Sequence, residues 1–188
     1  MATQMWTAPV GLFPGTSVAN ATFTSARNLP VGESGASNGT DAGGLCYIPG
    51  NALVPGSRLE IEAWGVASNT GTPTLIMGVY WGGVAGTALA VSTAKTTTTA
   101  MSNWEWHLTY QVRVLTTGVS GSMIGSGYWR LPTSLTAWTE IRLPETAPAA
   151  VTSLDTTVQK LITVGATWSA SSASNTISCH DMRVQIDG

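Results

Sequence analysis

Charge is what this sequence has least of. Asp, Glu, Lys and Arg make up 10% of its 188 residues, and the formal net charge is −2. The usual share is about a quarter. Ser, Thr, Ala and Gly fill the gap. Without a surplus of positive charge the chain has no electrostatic footprint for nucleic acid or an anionic membrane. No apolar run reaches the length of a membrane span. Met1 to Trp6 have neither the basic nor the apolar stretch of a secretory signal, so folding in the cytosol is expected. Cys46 and Cys179 are the two cysteines, and a reducing compartment predicts both reduced and half buried. There are two histidines, His107 and His180. No Cys or His pair has metal-ligand spacing, so neither a metal site nor a cofactor is expected. Helical periodicity is missing as well.

Strict alternation is present. In Trp104 to Leu115 the even positions are Trp104, Trp106, Leu108, Tyr110, Val112 and Val114. The odd ones begin Glu105, His107, Thr109, Gln111 and Arg113. That spacing puts the two sets on opposite faces of a β-strand. The strand is roughly 40 Å long at about 3.3 Å per residue. Its apolar face needs a second layer. A central strand of a two-layer β protein is the reading that follows.

The remaining segments supply its neighbours. Residues 1–20 carry Pro9, Gly11, Pro14 and Gly15 among aperiodic apolar residues, including Trp6, Leu12 and Phe13. Prolines block helix and ladder alike, which predicts an extended arm over 1–20 and one sandwich domain over 21–188. Strands are expected near 21–28, 45–48, 58–68, 74–81, 88–92, 122–131 and 139–143. Leu59, Ile61 and Ala63 should face in, with Arg58, Glu60 and Glu62 facing out. Thr74 to Trp81 is apolar on both faces, so it is central or covered by a neighbouring subunit. Gly125 and Gly127 mark a bulge or a close approach. Residues 159–169 and 175–187 read as a hairpin. The last strand changes parity, which predicts a bulge near His180–Asp181. About eight antiparallel strands in two sheets, jelly-roll-like, is the expected fold.

Catalytic candidates are few. Gly35-Ala36-Ser37-Asn38-Gly39 fits Gly-x-Ser-x-Gly, yet no buried strand precedes it and no helix follows, as a nucleophile elbow requires. His180–Asp181 lacks a placed serine. Glu60 and Glu62 share a strand face, whereas glycosidase carboxylates flank a cleft. No enzyme activity is expected. The eight tryptophans are more informative. Trp104 and Trp106 look like core; Trp64 and Trp81 are candidates for exposure. Exposed aromatics stack on sugars or anchor protein interfaces.

Thr72-Pro-Thr-Leu-Ile-Met-Gly-Val-Tyr-Trp-Gly-Gly, Leu131-Pro-Thr-Ser-Leu-Thr-Ala-Trp-Thr and Thr167-Trp-Ser-Ala-Ser-Ser-Ala-Ser-Asn-Thr-Ile resemble small β-sandwich structural proteins of tailed bacteriophages, especially phages of actinobacteria. The resemblance covers most of residues 45–187 and matches the arm least. It implies a capsid decoration (minor capsid) protein of jelly-roll fold on the capsid exterior, made in the bacterial cytoplasm. Its partners would be itself, as a homotrimer, and the major capsid protein. It brings no catalytic residues. Trp6, Leu12, Phe13, Trp64, Tyr80 and Trp81 are the expected subunit or capsid contacts. The alternative is a tail or fibre module that binds a host glycan through exposed tryptophans.

Overall fold

The structure is a computed structural model. It describes residues 46–170 and 172–188, together with two short strands before them. In chain order the strands are β1 (Val18–Ala19), β2 (Arg27–Asn28), β3 (Cys46–Ile48), β4 (Arg58–Ser68), β5 (Thr74–Trp81), β6 (Thr87–Val91) and β7 (Lys95–Thr96). They continue as β8 (Trp104–Thr116), β9 (Gly121–Pro132), β10 (Trp138–Leu143), β11 (Val151–Leu154), β12 (Lys160–Trp168) and β13 (Thr176–Asp187). Eight of them have five residues or more.

Two antiparallel sheets pack as a sandwich. The front sheet runs β1-β13-β4-β8-β9-β10, with β11 also paired to β9. The back sheet runs β2-β12-β5-β6, with β3 on β12 and β7 on β5. β4 pairs β13 in front, and β5 pairs β12 behind. The expected hairpin of 159–169 with 175–187 does not form. β12 and β13 lie in different sheets, and the link between them crosses the sandwich edge. The reason is cover. Ile162, Val164, Ala166 and Trp168 of β12 and Met182, Val184 and Ile186 of β13 are all buried in one core, which they reach from opposite layers.

The central strand is β8. Trp106, Leu108, Tyr110, Val112 and Val114 are each at most 2% exposed, while Glu105, Gln111 and Arg113 face water. Beside it Leu59, Ile61 and Ala63 of β4 point into the core, and Arg58, Glu60 and Glu62 point outward. The parity change in β13 is a bulge. Cys179 pairs with Gly65 and Asp181 with Trp64, so His180 is the extra residue. Gly65 makes it possible, because a Cβ there would lie 1.8 Å from the Ser178 carbonyl oxygen. The Trp106 indole N–H donates to that same oxygen at 3.1 Å.

Two more expectations resolve in the same terms. Gly125 and Gly127 mark a close approach: a Cβ on Gly125 would meet the Tyr110 hydroxyl at 2.7 Å, and one on Gly127 the Thr109 carbonyl at 2.1 Å. β5 is central in its sheet, with β12 on one side and β6 and β7 on the other. Its residues from Met77 to Trp81 are buried within the single chain, so its apolar character needs no second subunit to cover it. The Gly35–Gly39 stretch and most of the expected arm lie outside the described residues. Val18–Ala19, near the end of that arm, pair with β13.

Leu108→Asp places an unpaired carboxylate in the core and is expected to cost several kcal/mol, about 3–5. Thr109→Asp sits on the outer face opposite Glu62 and is expected to cost under about 1 kcal/mol. Thermal melts that ranked the two in reverse order would falsify the register. Gly65→Ala is expected to destabilise more than Gly71→Ala: the left-handed φ of 75° strains an alanine at Gly71, but only at Gly65 does backbone also stand in the way of a Cβ. Equal denaturation midpoints would show that the bulge relaxes until its cost is no greater than the backbone strain at Gly71.

Candidate functional site

Of the six expected contact residues, Trp6, Leu12 and Phe13 lie outside the described residues. Trp64 is on the outer face of the front sheet and 41% exposed. Trp81 and Tyr80 are corrections. Trp81 shares the inward parity of Leu75, Met77 and Val79, is 3% exposed, and donates its indole N–H to the Asp155 carbonyl at 3.3 Å. Tyr80 faces the other way yet is 8% exposed. Its ring lies against Gly78, and burial raises its pKa. Neither is a surface contact. Trp138, at the start of β10, is the aromatic that the sequence reading passed over; it is 56% exposed. Its strand alternates weakly in the sequence, so no signal marked its face.

One end of the sandwich is built from four loops, 69–73, 97–103, 133–137 and the described part of 169–175, which is 169–170 and 172–175. None of their residues carries a formal charge. The opposite end holds Asp155, whose carbonyl meets the Trp81 indole at the far end of β5, while the Lys95–Glu145 pair flanks the charge-free end beside β7. Asn69 organises the charge-free end. It is 3% exposed. Its side-chain amide donates to Thr97 Oγ1 at 2.6 Å and to the Thr98 carbonyl at 3.0 Å, while its Oδ1 accepts from Met101 N–H at 2.9 Å. That grip holds a loop in which Ala100 and Asn103 have left-handed φ of 55° and 52°. Thr74 and Ser169 bond reciprocally, Ser169 N–H to the Thr74 carbonyl at 2.9 Å and Thr74 N–H to Ser169 Oγ at 2.8 Å. These bonds tie the loops into one surface.

The second feature is a row across the outer face of the front sheet. Trp64 of β4 stands opposite His107 of β8, His107 opposite Arg130 of β9, and Arg130 opposite Glu140 of β10. Arg130 lies between two aromatic rings, 5.4 Å from the Tyr128 centroid and 5.1 Å from that of Trp138. Such cation–π contacts hold a guanidinium in place. Its Nε is 3.7 Å from Glu140, an ion pair longer than a hydrogen bond. At the far side the His180 ring sits 5.3 Å from Trp64. The recess beside the row, ≈130 Å³, is lined by Glu105, His107, Arg130, Ser134, Leu135 and Trp138, among others. A larger open groove of ≈560 Å³ runs over Gly125 between Arg58, Arg113 and Pro148. Arg58 there is already paired with Glu60 at 2.9 Å.

The groups considered for catalysis are otherwise engaged. Glu60 pairs with Arg58, and Glu62 with Arg183. His180 stacks near Trp64. Among the described residues no cluster of three or more His, Cys, Asp or Glu is placed to hold a metal ion. Among the described residues no helix is long and apolar enough to cross a membrane. Cys46 and Cys179 are free thiols, each 6% exposed, and so more deeply buried than expected. Burial pushes Cys46 up to about 11 and Cys179 up to about 12, so both are protonated at neutral pH and unreactive as nucleophiles. Glu145 is held below its usual pKa: burial works against this, but hydrogen bonds from Lys95 and Thr93 outweigh it.

Compared with protein-family models, curated proteins and solved structures, the chain matches none.

Asn69→Ala is expected to lower stability by roughly 2–4 kcal/mol, because it strips partners from Thr97 and from the Met101 N–H. Hydrogen exchange should rise first in 97–103. Exchange that rose uniformly across both sheets would mean that Asn69 supports the fold at large rather than this loop.

Proposed function

We propose that this chain is a non-enzymatic structural protein of a tailed-phage virion: a capsid decoration protein that binds the assembled head from outside, through the major capsid protein, and stabilises it. The observation that carries this reading is where the three resembling segments run. Residues 72–83 leave the charge-free end, 131–139 pass through it, and 167–177 cross it. An uncharged Ser/Thr/Asn surface suits docking by packing and main-chain hydrogen bonds, since no charged side chain must be stripped of water. Its attachment should depend weakly on salt for the same reason.

The homotrimer in this reading rests on the resemblance. The apolar strand β5 does not argue for it, because the chain buries that strand itself. Light scattering on purified protein is expected to give three times the 19.5 kDa chain mass; a monomer in dilute solution overturns the trimer.

A second reading is favoured by one specific observation. Trp64 and Trp138, 41% and 56% exposed, stand on the outer face of one sheet. Aromatics in that position suit a glycan on a host surface.

The test of the first reading uses Thr70→Glu with Thr99→Glu, both exposed on the charge-free end. Surface changes of this kind move stability by about 0.5 kcal/mol or less. The double variant should keep its melting temperature and lose at least about tenfold in retention on capsids, the effect of roughly 1.4 kcal/mol. Decoration equal to wild type would remove this end from the contact. Electron microscopy that placed the protein on the tail would overturn the capsid assignment.

A further inference from the structure

We infer that the recess formed by Glu105, His107, Arg130 and Trp138, on the outer face of the front sheet, is a binding site for one ring of a neutral pyranose sugar. The inference rests on the second reading above and narrows it to a place and a ligand class.

Three observations converge on that place. First, Trp138 is an exposed flat apolar surface whose ring is fixed over Arg130. The C–H face of a pyranose stacks on such a ring. Second, polar groups beside it lack partners. His107 Nδ1 and Arg130 Nε are both buried, and neither has a hydrogen-bond partner among the described residues. Buried polar atoms without partners are costly. His107 and Arg130 themselves line the recess, where their remaining polar edges can meet sugar hydroxyls, which both donate and accept. Third, the local backbone shapes the recess without occupying it. The 133–137 loop closes on itself, with Thr133 and Ser134 N–H both donating to the Ala137 carbonyl. That turn leaves Leu135 79% exposed at the rim.

Charge and volume select the ligand. Arg130 is paired with Glu140, and Glu105 lines the same recess. With Glu140 paired to the guanidinium and Glu105 in the recess wall, the site has no surplus positive charge for an anionic sugar. The volume of ≈130 Å³ is well under the roughly 300–1,000 Å³ of sites that enclose a drug-sized ligand. It takes a single ring, with the rest of any chain left in solvent. Trp64 stands two strands away from Arg130 along the same row. A strand spacing of about 4.8 Å puts its backbone roughly 10 Å off, outside the reach of the same ring.

The test is titration calorimetry of the full chain with soluble gluco-, galacto-, manno- and N-acetylglucosamine oligosaccharides. These are chosen first by binding to a printed array that also carries sialylated and uronic acid glycans. The wild type should bind at least one neutral glycan saturably. Trp138→Ala and Arg130→Gln should each weaken it at least tenfold, and Trp64→Ala by less than twofold. Trp138 is exposed, so its variant should keep the wild-type melting temperature. Ala137→Trp, which fills the recess from its exposed rim, gives an independent block that leaves Arg130 in place. Binding that survives Trp138→Ala but is lost with Trp64→Ala moves the sugar to the other tryptophan; it overturns this site while the glycan reading stands. Binding confined to acidic glycans overturns the ligand class. No binding to any glycan on the array overturns both the site and the glycan reading, and leaves the capsid reading to its own test.

Discussion

One hydrogen bond fixes how the last strand meets the core. The Trp106 indole N–H reaches the Ser178 carbonyl across β4, and Gly65 leaves the space through which it does so. Any side chain on Gly65 would collide with that carbonyl, and any residue without an indole N–H at position 106 would lose this bond to it. The bulge that follows turns β13 over, so Ile177 and Cys179 before it and Met182, Val184 and Ile186 after it all reach the same core. Without the bulge, half of the strand would present its apolar residues to water. The front sheet's apolar face therefore depends on three residues far apart in sequence.

The two sheets depend on each other in a simpler way. β8 and β4 turn one apolar face inward, and the back sheet answers with β5 and β12. Trp106, Trp129 and Trp168, the largest fully buried side chains, fill the space between the layers. Because the chain crosses from β4 to β5 and from β12 to β13 at the same end, the loops there are short and mutually bonded. That rigidity makes the charge-free end a surface rather than a set of independent loops. The two thiols stay inert within the core, protonated because burial disfavours their charge.

The two proposed contacts adjoin at the 133–137 loop and place different demands on the molecule. Docking at the loop end asks for shape and for main-chain groups. Sugar binding at the Trp138 recess asks for one flat ring and a few fixed polar atoms. The recess lies where the two meet, with Leu135 in both. Trp64 was legible as exposed because its parity opposes Leu59 and Ile61. Trp138 was not, because a short strand after a turn gives alternation too little length to work with. Asn69 carries no pattern at all: its role comes from a loop some thirty residues later.

What the sequence determined by itself was periodicity and its breaks. Alternation in 58–68 and 104–115 fixed which faces are buried, because a strand has only two faces. The parity change near His180 forced a bulge, and Gly125 and Gly127 reserved room for a neighbouring backbone. Only the tertiary structure decided which sheet each strand joined. Residues 159–169 and 175–187 read as a hairpin because they are close in sequence, yet they lie in opposite layers, an arrangement that buries the same faces. The choice depended on β5 and β4 as partners, and pairing between distant strands leaves no local trace. The same holds for Trp81 and for Arg130 between Tyr128 and Trp138. Whether a side chain at a strand end meets water or another ring is set by what the fold brings over it.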